Sequence, residues 1–232
     1  MTGPVDWDGV RERVTALARA DGARRVFGAW QTYGSGGHGF RLAAPLPERD
    51  VSEAEAQWGV VLPAGYRAFL REVGAGGAGP GYGLSVLGRG AAGWRWSDVG
   101  GDMRHERLRF PCPGAEDSVR AQAEHDGREP MASGFVDDDA FDRAHRAWLA
   151  EDEALSGRLT SGALCLSHEG CGYCHWLVVT GPDRGGMRID ERPADGAFGP
   201  LDGVGFGDWY LDWLEKSEAV ARRDRRDRRG QV

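Results

Sequence analysis

Residues 51–84 read VSEAEAQWGVVLPAGYRAFLREVGAGGAGPGYGL, and the order of signals within them decides the fold class. Ser52 followed by Glu55 makes a capping box and Val51 a hydrophobic staple, so a helix is expected to start at Ser52. Gly59 stops it. After Val60, Val61 and Leu62, Pro63 suits the first turn of a second helix, because its φ is fixed and an N–H there would lack a partner. Tyr66, Phe69, Leu70 and Val73 then recur at i, i+3, i+4 and i+7, a stripe that faces a core. Gly74 ends this helix, and the glycines from Gly76 to Gly83 make a long irregular turn before the apolar run Leu84 to Leu87.

Upstream, Trp7, Val10, Val14, Leu17 and Ala18 stack on one face of a helix beginning near Asp6, and Phe40 to Leu46 reads as a short strand. Downstream, residues 88–134 are the least regular: Trp94 and Trp96 sit at strand spacing, but a polar stretch runs on to Pro130. Asp138 or Asp139 can cap a further helix whose apolar face is Phe141, Ala144, His145, Trp148 and Leu149. Ala163 to Leu166, Tyr173 to Thr180 and Met187 to Asp190 read as strands separated by glycine-rich turns. Phe206, Trp209, Tyr210, Trp213 and Leu214 give a last helix an aromatic inner face. Connections this short rule out crossovers, so the expectation is an α+β fold with a largely antiparallel mixed sheet flanked by helices.

The formal charge of −7 is unevenly distributed. Residues 218–232 hold six arginines against three acids, a net +3, and leave −10 on the body of the chain. An acidic body lacks the cations that neutralise phosphates, which argues against a nucleic-acid partner and for a basic protein partner. With 41% apolar residues and nine tryptophans the chain is globular and needs no disulfide or metal to fold. Its apolar runs are too short to span a membrane. The segment MTGPVDWDGV has no export signal, so the expected location is the cytoplasm and the four cysteines are expected as free thiols. One domain is expected over residues 1–216, with a variable insertion at about 88–134 and an Arg-rich tail over 217–232, frayed or disordered because it has little to bury.

Three motifs have a chemical look. Residues 74–79 match G-x-G-x-x-G, yet a phosphate site needs a strand before the motif and a helix after it, and here the order is reversed. Cys171-Gly172-Tyr173-Cys174-His175 matches C-x-x-C-H, but it enters a strand rather than a helix N-terminus, and haem attachment would require export. His168, Cys171, Cys174 and His175 could supply four zinc ligands only if the backbone is irregular, since adjacent Cys174 and His175 point to opposite faces of a strand. Structural thiols and imidazoles are the reading adopted, with a zinc or redox site as the alternative and no cofactor expected. Asp137, Asp138 and Asp139 fit a helix cap, and as an exposed acidic run they are the candidate partner contact. His145 is expected as a core or boundary residue.

The helix-cap run at 51–55, the LPAGYRAFL segment, the glycine-rich turn, and later GALCL, HEGC, LVVTGP and FGDWYLDWL together resemble the SUKH superfamily, the Smi/Knr-like domain. The resemblance covers about half of the chain, mostly residues 40–90 and 160–215. It implies an α+β domain without known enzymatic activity. Bacterial members are commonly immunity proteins that bind and neutralise polymorphic toxins, many of them nucleases, and fungal ones regulate cell-wall assembly and signalling. It also implies a structural role for the glycine-rich turn. In many relatives ordinary strand residues stand where this chain has Cys174 and His175. The leading expectation is a non-enzymatic protein-binding domain that occludes a cognate basic toxin. A scaffold or regulatory module without a toxin partner is the alternative, and the sequence leaves the oligomeric state open.

Overall fold

The computed structural model describes residues 5–30, 37–97 and 104–227. Three layers follow from strands that are apolar on both sides. In β3 (Ala163–Gly170) and β4 (Tyr173–Val178), successive residues are buried with no polar alternation. Leu164, Leu166 and Leu177 enter one core, and Ala163, Cys165, Cys174 and Trp176 enter another. Two faces must therefore be covered. With β5 (Gly186–Asp190) and β6 (Phe198–Gly205) these strands form a sheet in sequential order, β3-β4-β5-β6, and all of its pairings are antiparallel.

The larger core lies between one sheet face and four helices: α1 (Val10–Leu17), α2 (Glu48–Trp58), α3 (Ala64–Glu72) and α6 (Phe206–Asp227). The stripe Tyr66, Phe69, Leu70 and Val73 is fully buried, as its periodicity predicts. Phe69 is held edge-on by Trp7, Phe206 and Tyr210, with ring centroids 5.4, 5.2 and 4.7 Å away. A hairpin, β1 (Leu87–Gly90) and β2 (Gly93–Trp96), closes the side of this core, and Trp96 Nε1 donates to Tyr66 Oη at 2.8 Å. The other sheet face is covered by α4 (Ala115–Asp126) and the C-terminal end of α5 (Asp138–Leu159).

Several local expectations need correction. Helix α2 begins at Glu48 behind Pro47, one turn before Ser52, with Glu48 and Asp50 complementing its dipole. Glu55 does not close a capping box; its carboxylate accepts the Leu62 amide at 2.8 Å and pairs with Arg67. Residues 40–46 form no strand, only an isolated bridge from Leu42 to Gly77. Within 88–134, Trp94 and Trp96 are core residues, and α4 is a helix where the composition predicts only a polar stretch. Strand β6 has no counterpart among the strands read from sequence. Helix α6 continues to Asp227, and its extension past Lys216 is seated by Ser217 and Ala221, both buried, and by a Glu218–Arg13 pair at 2.9 Å. The expected Asp224–Arg228 pairing lies outside the described residues, as does the start of the N-terminal segment read for export. Among the described residues no helix is long and apolar enough to cross a membrane.

Burial of His38 gives the fold a pH dependence. Its Nδ1 accepts the Phe40 amide at 3.0 Å, its ring lies edge-on to Phe40 and Trp213, and desolvation, aided by Arg41, pushes its pKa down to about 4. The folded chain therefore refuses a proton that the unfolded chain accepts below pH 6.5. Stability is expected to be level above pH 7 and to fall between pH 6.5 and about 4. Replacing His38 by Gln should remove about 2 kcal/mol of that loss by pH 5, read by urea melts at several pH values. An unchanged pH slope in the variant would refute the assignment.

Candidate functional site

A buried arginine determines how the second sheet face is built. Arg188 of β5 is about 1% exposed, and its guanidinium donates to Ser118 Oγ at 2.9 Å, Pro113 O at 2.6 Å and Asp183 Oδ2 at 2.7 Å. Asp183 also accepts the Ala115 amide at 2.8 Å, so one ion pair fixes the start of α4. This explains why α4 buries a polar face, Ser118, Gln122 and His125, against the sheet. Helix α5 is capped by Asp137, whose Oδ1 accepts the Ala140 amide at 2.7 Å. Its C-terminal end is anchored by Leu155 and Leu159. Farther back, Phe141, His145 and Trp148 form a stacked column that ends on His125 of α4, with the last rings 4.7 Å apart.

Between α4, α5 and the β5–β6 connection lies a groove of about 530 Å³. Every nitrogen of its one lining arginine is engaged: Arg192 donates to both Asp190 oxygens, at 2.8 and 2.6 Å, and to Ser156 Oγ at 2.8 Å. Asp126, Glu129, Asp152 and Asp195 also line it and have no arginine or lysine partner among the described residues. Gln122 Nε2 donates to Asp126 at 2.8 Å, while Gln122 Oε1 is buried with no partner among the described residues. His125 Nε2 likewise makes no hydrogen bond among them and stands 3.5 Å from Asp152 Oδ1. Residues 115–159 hold twelve acids against five arginines, a net −7, so most of the body's charge sits on the α4–α5 face.

The residues singled out from sequence do not form this groove. Asp137, Asp138 and Asp139 are exposed in the first turn of α5, ~22 Å along the helix from Asp152 at 1.5 Å per residue. His168, Cys171, Cys174 and His175 surround the β3–β4 turn, where Cys171 is exposed with a φ of 51°. Cys174 is buried beside Trp176 and Phe198 in the second core, whereas His175 turns to the opposite sheet face, 5.3 Å from the Trp209 ring. His168 lies tilted against Tyr82, with ring centroids 4.9 Å apart. Among the described residues no three His, Cys, Asp or Glu side chains are grouped so as to hold a metal ion. Cys112 is buried in the second core, and burial pushes its thiol up to about 11. His145 lies at the half-buried boundary of α5.

Four of the six amides of the G-x-G-x-x-G loop are committed to backbone carbonyls. Gly74, Ala75, Gly77 and Ala78 donate to the carbonyls of Phe69, Ala44, Leu84 and Arg41. A second concavity, about 390 Å³, is walled by Phe27, Trp209 and Trp213. His175 closes it with Nδ1 making no hydrogen bond among the described residues, 4.0 Å from Glu169, and desolvation lowers its pKa against the pull of that carboxylate.

Sequence reasoning missed Gln122, Asp126, Glu129, Asp152 and Asp195. The helix that carries the first of them lacks an apolar stripe, because its buried side is anchored by Arg188 rather than by hydrocarbon. The available signal is Pro113-Gly114 followed by Glu116 and Asp117, with His125 eight residues on: a breaker, an acidic first turn and a histidine in the last turn. Compared with known families, the chain matches the model of the SMI1/KNR4 family (SUKH-1) over residues 45–187. No curated protein and no solved structure gives a significant match.

Proposed function

The chain belongs to the SMI1/KNR4 family (SUKH-1), and from that premise we propose that it is a non-enzymatic protein-binding domain, an immunity protein that neutralises a cognate basic toxin in the cytoplasm by covering its working surface. The observation that carries this reading is the one-sided charge: a net −7 on the α4–α5 segment, exposed along most of its length. A dense acidic face repels nucleic acid and attracts a protein built to bind it. It also speeds encounter with a basic partner by orders of magnitude at low ionic strength and disfavours acidic competitors. Asp137, Asp138 and Asp139 lie on this face and belong to the proposed contact.

The reading expects a toxin gene beside this one, and co-expression with its product tests it. Growth should be restored, and the association rate of the purified pair should fall at least tenfold from 50 to 500 mM salt. Changing all three aspartates to Asn should lower the rate a few-fold while leaving the fold intact, since Asn also caps helices. Failure to restore growth would favour a regulatory or scaffold module and overturn the proposal. A rate indifferent to salt would overturn the electrostatic mechanism.

A further inference from the structure

We propose that the groove between α4, α5 and the β5–β6 connection is a receptor for an arginine side chain of the protein partner. The inference rests on the protein-binding reading above and names the chemistry that reading leaves open. The groups on the groove's walls that lack a cationic partner or a donor are acceptors. Asp126, Glu129, Asp152 and Asp195 have no arginine or lysine partner among the described residues, and Gln122, about 7% exposed, lines the groove with a buried Oε1 that has no donor among them. A buried acceptor left without a donor costs free energy, so a donor brought into the groove is rewarded. Each side-chain nitrogen that Arg192, Gln122 and Trp148 bring to the groove already makes one hydrogen bond. Arg192 is held by Asp190 and Ser156, Gln122 Nε2 by Asp126, and Trp148 Nε1 by the His125 carbonyl at 3.2 Å.

The spread of the acceptors selects the donor. Among the described residues no three carboxylates or imidazoles are grouped to hold a point cation. A guanidinium offers five N–H donors in a rigid plane and is weakly hydrated, so it can serve acceptors on two walls at once. A lysine ammonium concentrates three donors on one strongly hydrated centre. The Trp148 indole, its nitrogen engaged, offers carbon to the methylene stem.

Fluorescence anisotropy with a labelled hexa-arginine peptide and the full chain tests this at 150 mM salt, with hexalysine as the comparison. The expected result is binding of hexa-arginine at least fivefold tighter than hexalysine. The double variant Asp126→Asn and Asp152→Asn should weaken it at least tenfold, and Glu129→Gln with Asp195→Asn, at the exposed rim, by threefold or more. The triple Asn variant at 137–139 should change it less than twofold. Equal binding of the two peptides, or a larger loss from the triple variant than from the groove variants, would overturn the assignment. So would hexa-arginine binding that emerges only once the chain's own arginines from Arg222 to Arg229 are replaced by Gln, for that would give the groove to the tail. Growth restored without any hexa-arginine binding would overturn the groove and leave the immunity reading standing. Hexa-arginine held in the groove without growth restored would do the reverse.

Discussion

Gly77→Ala is expected to cost about 3–5 kcal/mol of folding stability, against a total of about 5–15 kcal/mol for a protein of ordinary stability. Gly77 has a φ of +106°, outside the region that side-chain-bearing residues adopt readily. A Cβ there would stand 2.4 Å from the Arg41 carbonyl oxygen, which is backbone and can move only with its whole segment. That segment is not free to move. Gly77 exchanges hydrogen bonds with Leu84 on one side, and on the other the Ala78 amide donates to that same Arg41 carbonyl at 2.7 Å. The Ala78 carbonyl accepts Tyr210 Oη at 2.9 Å, so the displacement reaches α6 and the aromatic core. Gly59→Ala separates conformational cost from collision. Gly59 ends α2 at a φ of +65°, a methyl group added there would meet nothing within 4 Å, and only about 1 kcal/mol is expected. Urea melts of the two variants measure the difference. Equal costs would mean that the Arg41 segment yields, and the crowding argument would fail.

The contrast explains what was legible in the sequence. Where burial is apolar, periodicity carries most of it: the stripe on α3 is in the core as spaced, those on α1 and α6 are too, apart from an exposed Ala18 and a half-buried Trp213, and Trp94 and Trp96 are buried on one side of β2. The helix-then-strand order around residues 74–79 separates this glycine-rich loop from a phosphate loop, and the position most crowded against Arg41, Gly77, is not one of the three glycines of the fingerprint. The opposite faces of Cys174 and His175 follow from strand alternation alone. Where burial is polar, no apolar periodicity marks it. Ser118, Gln122 and His125 lie on the buried side of α4 because Arg188, some seventy residues later, reaches back to Ser118. The start of α2 departs from its capping-box position for a related reason: Glu55 is drawn away by the Leu62 amide and Arg67. The groove acids are surface residues in sequence terms, and their grouping exists only once α4, α5 and the β5–β6 connection are brought together.

Arg188→Ala is expected to remove about 3–4 kcal/mol and, before that, to loosen α4 selectively. The guanidinium bonds at once to the segment before α4, to its first turn through Ser118 and to Asp183, which itself holds the Ala115 amide. Alanine leaves a cavity under Phe198, over whose ring Arg188 lies at 5.2 Å, and strands the Pro113 carbonyl. Asp183 is about 41% exposed and can rehydrate, which keeps the loss below that of a fully buried pair. Arg188→Met, which fills the space without the charge, should therefore cost only about 1–2 kcal/mol. Hydrogen exchange distinguishes a general loss from a local one. Amides of Ser118 to His125 should lose protection well ahead of those in α3, because α4 is held to the sheet by this ion pair whereas α3 is held by hydrocarbon. Gln122 and Asp126 move with α4, so hexa-arginine binding should fall in the alanine variant under conditions where the aromatic core is still intact by near-ultraviolet circular dichroism. Protection of α4 that survives the substitution would show that the helix is seated by its contacts with β6 and α5 instead, and the groove would then owe its shape to those elements rather than to the buried arginine.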